Sequence, residues 1–148
     1  MESSLGDIMN EKDKYFLEKA SYIAKQSLCT RRKYGAVLVS RNGEFLSEGC
    51  NFIPDNYDCL INGCPRDRNN SEHNTHDYTG CDSIHAEMVA LLSYDNKMLD
   101  FAGGTLYLVG YDSNGERIDN AIPCLNCEKH LKHMCINKLV NYSGKHKL

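Results

Sequence analysis

The chain lacks tryptophan, carries a net charge of only −3 over 148 residues, and nowhere holds an apolar run near the length of a membrane helix. The missing run excludes a helical membrane span. The opening MESSLGDIMNEKDK has no hydrophobic centre of a signal peptide, so a cytoplasmic protein is expected. The small net charge gives no general pull toward nucleic acid or anionic membrane. Only Arg31-Arg32-Lys33 and Lys145-His146-Lys147 are locally basic, and no basic, aromatic-rich surface is apparent, so neither membrane nor nucleic acid is an expected partner. Internal repeats and low-complexity segments are absent as well. The length suits one domain, residues 1–148, with a real core.

What is present is cysteine, eight of them. Disulfides are one use of so many. Metal-type spacing of at least two makes a reducing compartment the simpler reading.

Residues 10–27 form an amphipathic helix pattern, with Phe16, Leu17, Ala20, Ile23 and Ala24 repeating at three and four. Two short apolar runs, 36–39 and 45–49, flank Asn42-Gly43, a strong hairpin turn. The polar stretch 51–79 is too long for an ordinary connection and should be functional or pinned. Residues 105–109 and 138–142 read as further strands, and the second Asn-Gly, Asn114-Gly115, as another hairpin. Helices alternating with strands after a hairpin imply an α/β fold with a mixed sheet and helices on its faces.

Two short motifs carry the chemistry. In CDSIHAEMVALL (81–92), His85 and Glu87 stand at the start of an apolar helix pattern, with Ser83 as the expected N-cap. Residues two apart do not share a helix face. In the first turn, however, side chains lean back toward the N-terminus, so both can converge on something off the helix end. In IPCLNCEKHL (122–131), Cys124 and Cys127 are spaced C-x-x-C ahead of a second helix pattern, Leu131, Met134 and Cys135. A helix N-terminus favours thiolates. One imidazole and two thiolates make three zinc ligands, which leave a fourth position for water. Glu87 beside that position is placed to carry protons between water and substrate.

His85-Ala86-Glu87 followed by Pro123-Cys124-Leu125-Asn126-Cys127 resembles the H-x-E and P-C-x-x-C signature of the zinc-dependent nucleobase deaminases. SLCTRRKYGAVLV (27–39), GCNFIP (49–54), CPR (64–66) and GCDSIHAE (80–87) resemble, in the same order, segments of the deoxycytidylate deaminases, including the competence-operon type. The similarity covers about residues 14–142. It implies a three-layer α/β/α sandwich of the cytidine deaminase kind, with the N-termini of both motif helices under one Zn2+. It also implies hydrolytic conversion of dCMP to dUMP with release of ammonia, and a homo-oligomer.

By the same resemblance Asn51 contacts the sugar, and the backbone N–H of Ala86 contacts the base carbonyl. Arg31 and Arg32 are candidates for a substrate phosphate, which guanidinium matches bidentately. Cys59, Cys64, His73, His76 and Cys81 are candidates for a second, closed zinc site pinning the 51–79 stretch. His130 and His133 read as surface or core residues, and Cys29, Cys50 and Cys135 as small buried hydrophobes.

Phe52, Val89 and Asn120 depart from the family pattern and are expected to border the pocket, so another cytosine nucleoside, base or RNA-borne base stays open as substrate. A zinc-stabilised binding module is the alternative of another class. It requires a fourth protein ligand on the His85 zinc.

Overall fold

A computed structural model describes residues 9–54, 57–68, 81, 83–94 and 98–148. The elements in chain order are α1 (Glu11–Ala24), β1 (Lys33–Val39), β2 (Phe45–Cys50), α2 (Cys59–Asn62), α3 (Pro65–Arg68), α4 (Ala86–Leu92), β3 (Thr105–Tyr111), β4 (Arg117–Ile118), α5 (Leu125–His133), β5 (Lys138–Asn141) and β6 (Gly144–Lys147).

The sheet runs β2-β1-β3-β5-β6, with β4 paired to β3 off this path. β3 and β5 are parallel, joined through α5, and the remaining pairs are antiparallel. The alternation of side chains along a strand distributes the core. From β1, Ala36 and Leu38 enter a cluster with Ala86 and Ala90 of α4 and Leu131 of α5. Val37 and Val39 enter the opposite cluster, with Phe16, Leu17 and Ala20 of α1. The expected three layers are therefore present: α1 on one face, α4 and α5 on the other.

α1 begins where the sequence asks it to. Asn10 Oδ1 accepts from the Asp13 N–H at 2.8 Å while Asp13 Oδ2 accepts from the Asn10 N–H at 3.2 Å, a reciprocal capping box. Asp13 is itself buried, and it also accepts from the Tyr107 hydroxyl at 2.7 Å and pairs with Lys145 Nζ at 3.2 Å. One carboxylate thus ties α1 to β3 and β6. Helix and strand approach closely at Gly35, where a Cβ would stand 2.0 Å from the Ala20 carbonyl oxygen.

Several expectations need revision. β6 pairs with β5, so the sheet does not stop at the fourth predicted strand. Its residues, Gly-Lys-His-Lys, are mostly polar and carry no apolar alternation, which is why sequence pattern missed them. The stretch after Asn51 contains α2, capped by the Asp58 side chain on the Leu60 N–H at 2.8 Å, and α3. α5 ends at His133, and Cys135 follows in a left-handed conformation, φ 64°. Cys135 is exposed, and Cys29 and Cys50 are half-buried, so none of the three is the small buried residue expected. His130 and His133 lie on the exposed face of α5.

Candidate active site

The N-cap of α4 is His85 itself, not Ser83. The chain just before it is extended, because Ile84 forms an antiparallel bridge with Phe52: the Ile84 N–H donates to the Phe52 carbonyl at 2.7 Å and the reverse bond is 3.2 Å. That bridge leaves His85 at the helix mouth and Glu87 in the first turn. Behind them α4 lies flat on β2. The Ser47 hydroxyl donates to the Ala90 carbonyl at 2.7 Å, and a Cβ on Gly49 would stand 2.6 Å from Val89 Cγ1. Val89 therefore packs against β2 rather than bordering the cavity, whereas Phe52 and Asn120 do line it.

α5 presents the other two donors. Cys124 is its N-cap, and its sulfur accepts from the Cys127 N–H at 3.4 Å. His85 Nδ1 stands 3.5 Å from Cys124 Sγ and 3.4 Å from Cys127 Sγ. These three ligand atoms all lie within 4.8 Å of one another, and theirs is the only such group of three or more among the described residues.

Hydrogen bonding explains the cluster poorly, since Nδ1 carries at most one proton and faces two sulfurs. A tetrahedral zinc explains it well. Zn–N near 2.0 Å and Zn–S near 2.3 Å give N···S edges of about 3.5 Å. The donor set fits zinc in both chemistry and spacing. No fourth His, Cys, Asp or Glu joins the group among the described residues, so the closed site that a purely structural zinc requires is not formed there.

The electrostatics agree. Glu87 is buried, and burial pushes its carboxyl up to about 7, against a smaller opposing effect of a backbone hydrogen bond. Burial, then the negative charges of Glu87 and Cys124, drive the Cys127 thiol strongly up. A thiolate at Cys127 therefore calls for a cation beside it.

His85, Cys124 and Glu87 open onto one cavity of about 640 Å³, lined also by Asn51, Arg31, Arg32, Tyr34, Arg66, Cys59, Cys64 and Cys81, while Cys127 lies buried behind them. Asn51 is buried and braces the wall: its Oδ1 accepts from the Tyr34 N–H at 2.9 Å and its Nδ2 donates to the Arg32 carbonyl at 3.0 Å. One further N–H and a lone pair remain to it. Ala86 is the fully buried first residue of α4, so its N–H has no intrahelical partner. Arg31 is buried and pairs with Asp67 of α3 through Nε at 3.0 Å and Nη2 at 2.7 Å.

Cys59, Cys64 and Cys81 share one wall with Cys29, a neighbour that sequence spacing did not reveal. Burial first, then the thiols of Cys29, Cys64 and Cys81, pushes Cys59 up to about 11. These sulfurs do not meet the mutual spacing of the His85 group, and His73 and His76 lie outside the described residues.

Fold and site together define an α/β domain with a His-Cys-Cys cluster suited to zinc. The chain matches the family described as the cytidine and deoxycytidylate deaminase zinc-binding region over residues 10–143, and it belongs to that family. It is 30% identical over 133 residues to the deoxycytidylate deaminase of Schizosaccharomyces pombe, covering 89% of this chain and 37% of that protein. It is 37% identical over 100 residues to the deoxycytidylate deaminase of Mycobacterium phage D29, covering 65% and 75%. The chain thus spans less than two-fifths of the yeast relative's length. Among solved structures, the dCMP deaminase of cyanophage S-TIM5 in complex with dCMP and dUMP aligns with TM-score 0.60 at 22% identity, over 89% of this chain and 81% of that one. Cytidine deaminase from Burkholderia pseudomallei aligns with TM-score 0.57 at 16% identity, over 95% and 92%.

Proposed function

We propose that the protein deaminates a cytosine nucleotide hydrolytically, converting dCMP and water to dUMP and ammonia. The observation that carries this reading is the three-donor cluster of His85, Cys124 and Cys127 with the buried carboxyl of Glu87 close behind it in the first turn of α4. Family membership and relatives named deoxycytidylate deaminase support it.

His85, Cys124 and Cys127 hold the zinc, which when bound supplies an acidified water at the site. Glu87 does the proton work. Buried beside the cluster, its carboxyl takes a proton as water adds to C4 of the ring and delivers one to N3. It then takes the remaining proton of the added hydroxyl and passes it to the exocyclic amine, so the C4 carbonyl forms, the bond from C4 to that amine breaks and ammonia leaves. Burial serves this role, since desolvation disfavours the charged carboxylate and so helps it hold a proton between acceptance and delivery. In this reading, which the family resemblance supports, the Ala86 N–H contacts the base carbonyl and Asn51 the sugar.

Ammonia release from zinc-loaded protein, compared across dCMP, CMP, deoxycytidine, cytidine and cytosine, tests the reading. dCMP is expected to be the best substrate. Glu87→Gln should keep its zinc and lose about 10² to 10⁴ in kcat. Activity near wild type in that variant would remove Glu87 from the mechanism.

A further inference from the structure

Two adjacent arginines reach the cavity wall, and the structure separates them. Arg31 is engaged with Asp67. Among the described residues Arg32 meets no carboxylate: its side-chain hydrogen bond runs from Nη1 to the Tyr34 hydroxyl at 3.1 Å, a neutral acceptor that leaves the charge uncompensated. The carboxylates lining the same cavity are Glu87, at the zinc-binding cluster, and Glu128, which pairs with Lys132 at 2.8 Å. Arg32 is therefore a half-buried cation facing the cavity with most of its five N–H donors still to be used.

Tyr34 holds it there. The Tyr34 ring lies directly over its cross-strand partner Gly110, where a Cβ would stand 2.5 Å from Cε1, so only a glycine leaves room for it. Asn51 then fixes the backbone on both sides of Lys33, through the Arg32 carbonyl and the Tyr34 N–H. The ring, the strand and the amide together set the direction of one guanidinium.

We propose that Arg32 grips the 5′-phosphate of the nucleotide and that Tyr34 is the positioning residue that aims it. The proposal rests on the nucleotide reading of the cavity, and it makes the phosphate preference a property of the Arg32–Tyr34 pair rather than of Arg31. A guanidinium with two N–H groups facing the ligand suits the tetrahedral dianion, and a pre-aimed one loses less freedom on binding.

Binding of the product pair dUMP and deoxyuridine, measured by calorimetry, reads this without turnover. Wild type should favour dUMP. Arg32→Ala should cut the dUMP-over-deoxyuridine preference about 10- to 100-fold, the effect of losing hydrogen bonds to a charged group. Arg32→Lys, which keeps the charge and loses the fork, should fall between the two. Tyr34→Phe should reduce the preference about three- to tenfold, and should reduce it no further when Arg32 is already alanine. A preference unchanged in Arg32→Ala, an equal Tyr34→Phe effect with Arg32 absent, or no dUMP preference in wild type would overturn the proposal. Failure of the deaminase reading looks different: dUMP is still preferred, and no cytosine compound releases ammonia.

Discussion

The buried carboxyl of Glu87 makes a testable demand on stability. In the metal-free protein it holds its proton up to about 7, whereas the same group in the unfolded chain releases it near 4.5. Between those values the folded state binds more protons than the unfolded state, so stability falls as pH rises. The protonated carboxyl's contribution is fully present below about 4.5 and gone above about 7. A gap of about two and a half pH units corresponds to about 3 kcal/mol, a large share of a small domain's total. Glu87→Gln removes the titration while keeping the shape. Urea unfolding of chelator-treated protein at half-unit steps from pH 4.5 to 8 should show wild type losing about 3 kcal/mol relative to Glu87→Gln. Parallel profiles for the two proteins would show that Glu87 is not desolvated as described. Saturating zinc should flatten the wild-type decline, because a cation beside the carboxylate offsets the cost of burying it.

Two further outcomes follow from the fold. Cys135→Gly should raise stability by about 0.5 to 1 kcal/mol in thermal or urea unfolding, since the residue after α5 sits at φ 64°, where glycine carries no side-chain penalty. Asp13→Ala should cost about 2 to 4 kcal/mol, because it removes the carboxylate half of the α1 capping box, which accepts from the Asn10 N–H at 3.2 Å, and strands the buried Tyr107 hydroxyl, 2.7 Å from Asp13 Oδ1.

The parts of the molecule that sequence made legible are those in which one local rule decides. The repeat of Phe16, Leu17, Ala20, Ile23 and Ala24 marks the face of α1 that is buried. The Asn-Gly pairs mark hairpins, and Gly43 and Gly115 take the positive φ such turns need. The two motifs singled out His85, Cys124 and Cys127, whose donor atoms the fold brings within 4.8 Å of one another, and Glu87, buried in the turn beside them, because the expected chemistry tolerates few residue types at those spacings. Long-range contacts decide the rest. The Ile84 bridge to Phe52 moves the start of α4 from Ser83 to His85, and nothing within residues 81–92 announces it. Cys29 joins Cys59, Cys64 and Cys81 through contacts distant in sequence, with Arg31 of the same loop paired to Asp67 of α3. Arg31 and Arg32 are indistinguishable as neighbours in sequence. Asp67, which engages one, and Tyr34, which holds the other, give them different environments.

The central claim is an open metal position at the mouth of α4 and α5. Anomalous diffraction at the zinc edge from crystals of zinc-loaded protein tests it most directly. The account predicts an ion bound by His85 Nδ1, Cys124 Sγ and Cys127 Sγ, with a fourth, non-protein ligand within hydrogen-bonding reach of Glu87. An ion enclosed by four side chains, or none at this cluster, would contradict it.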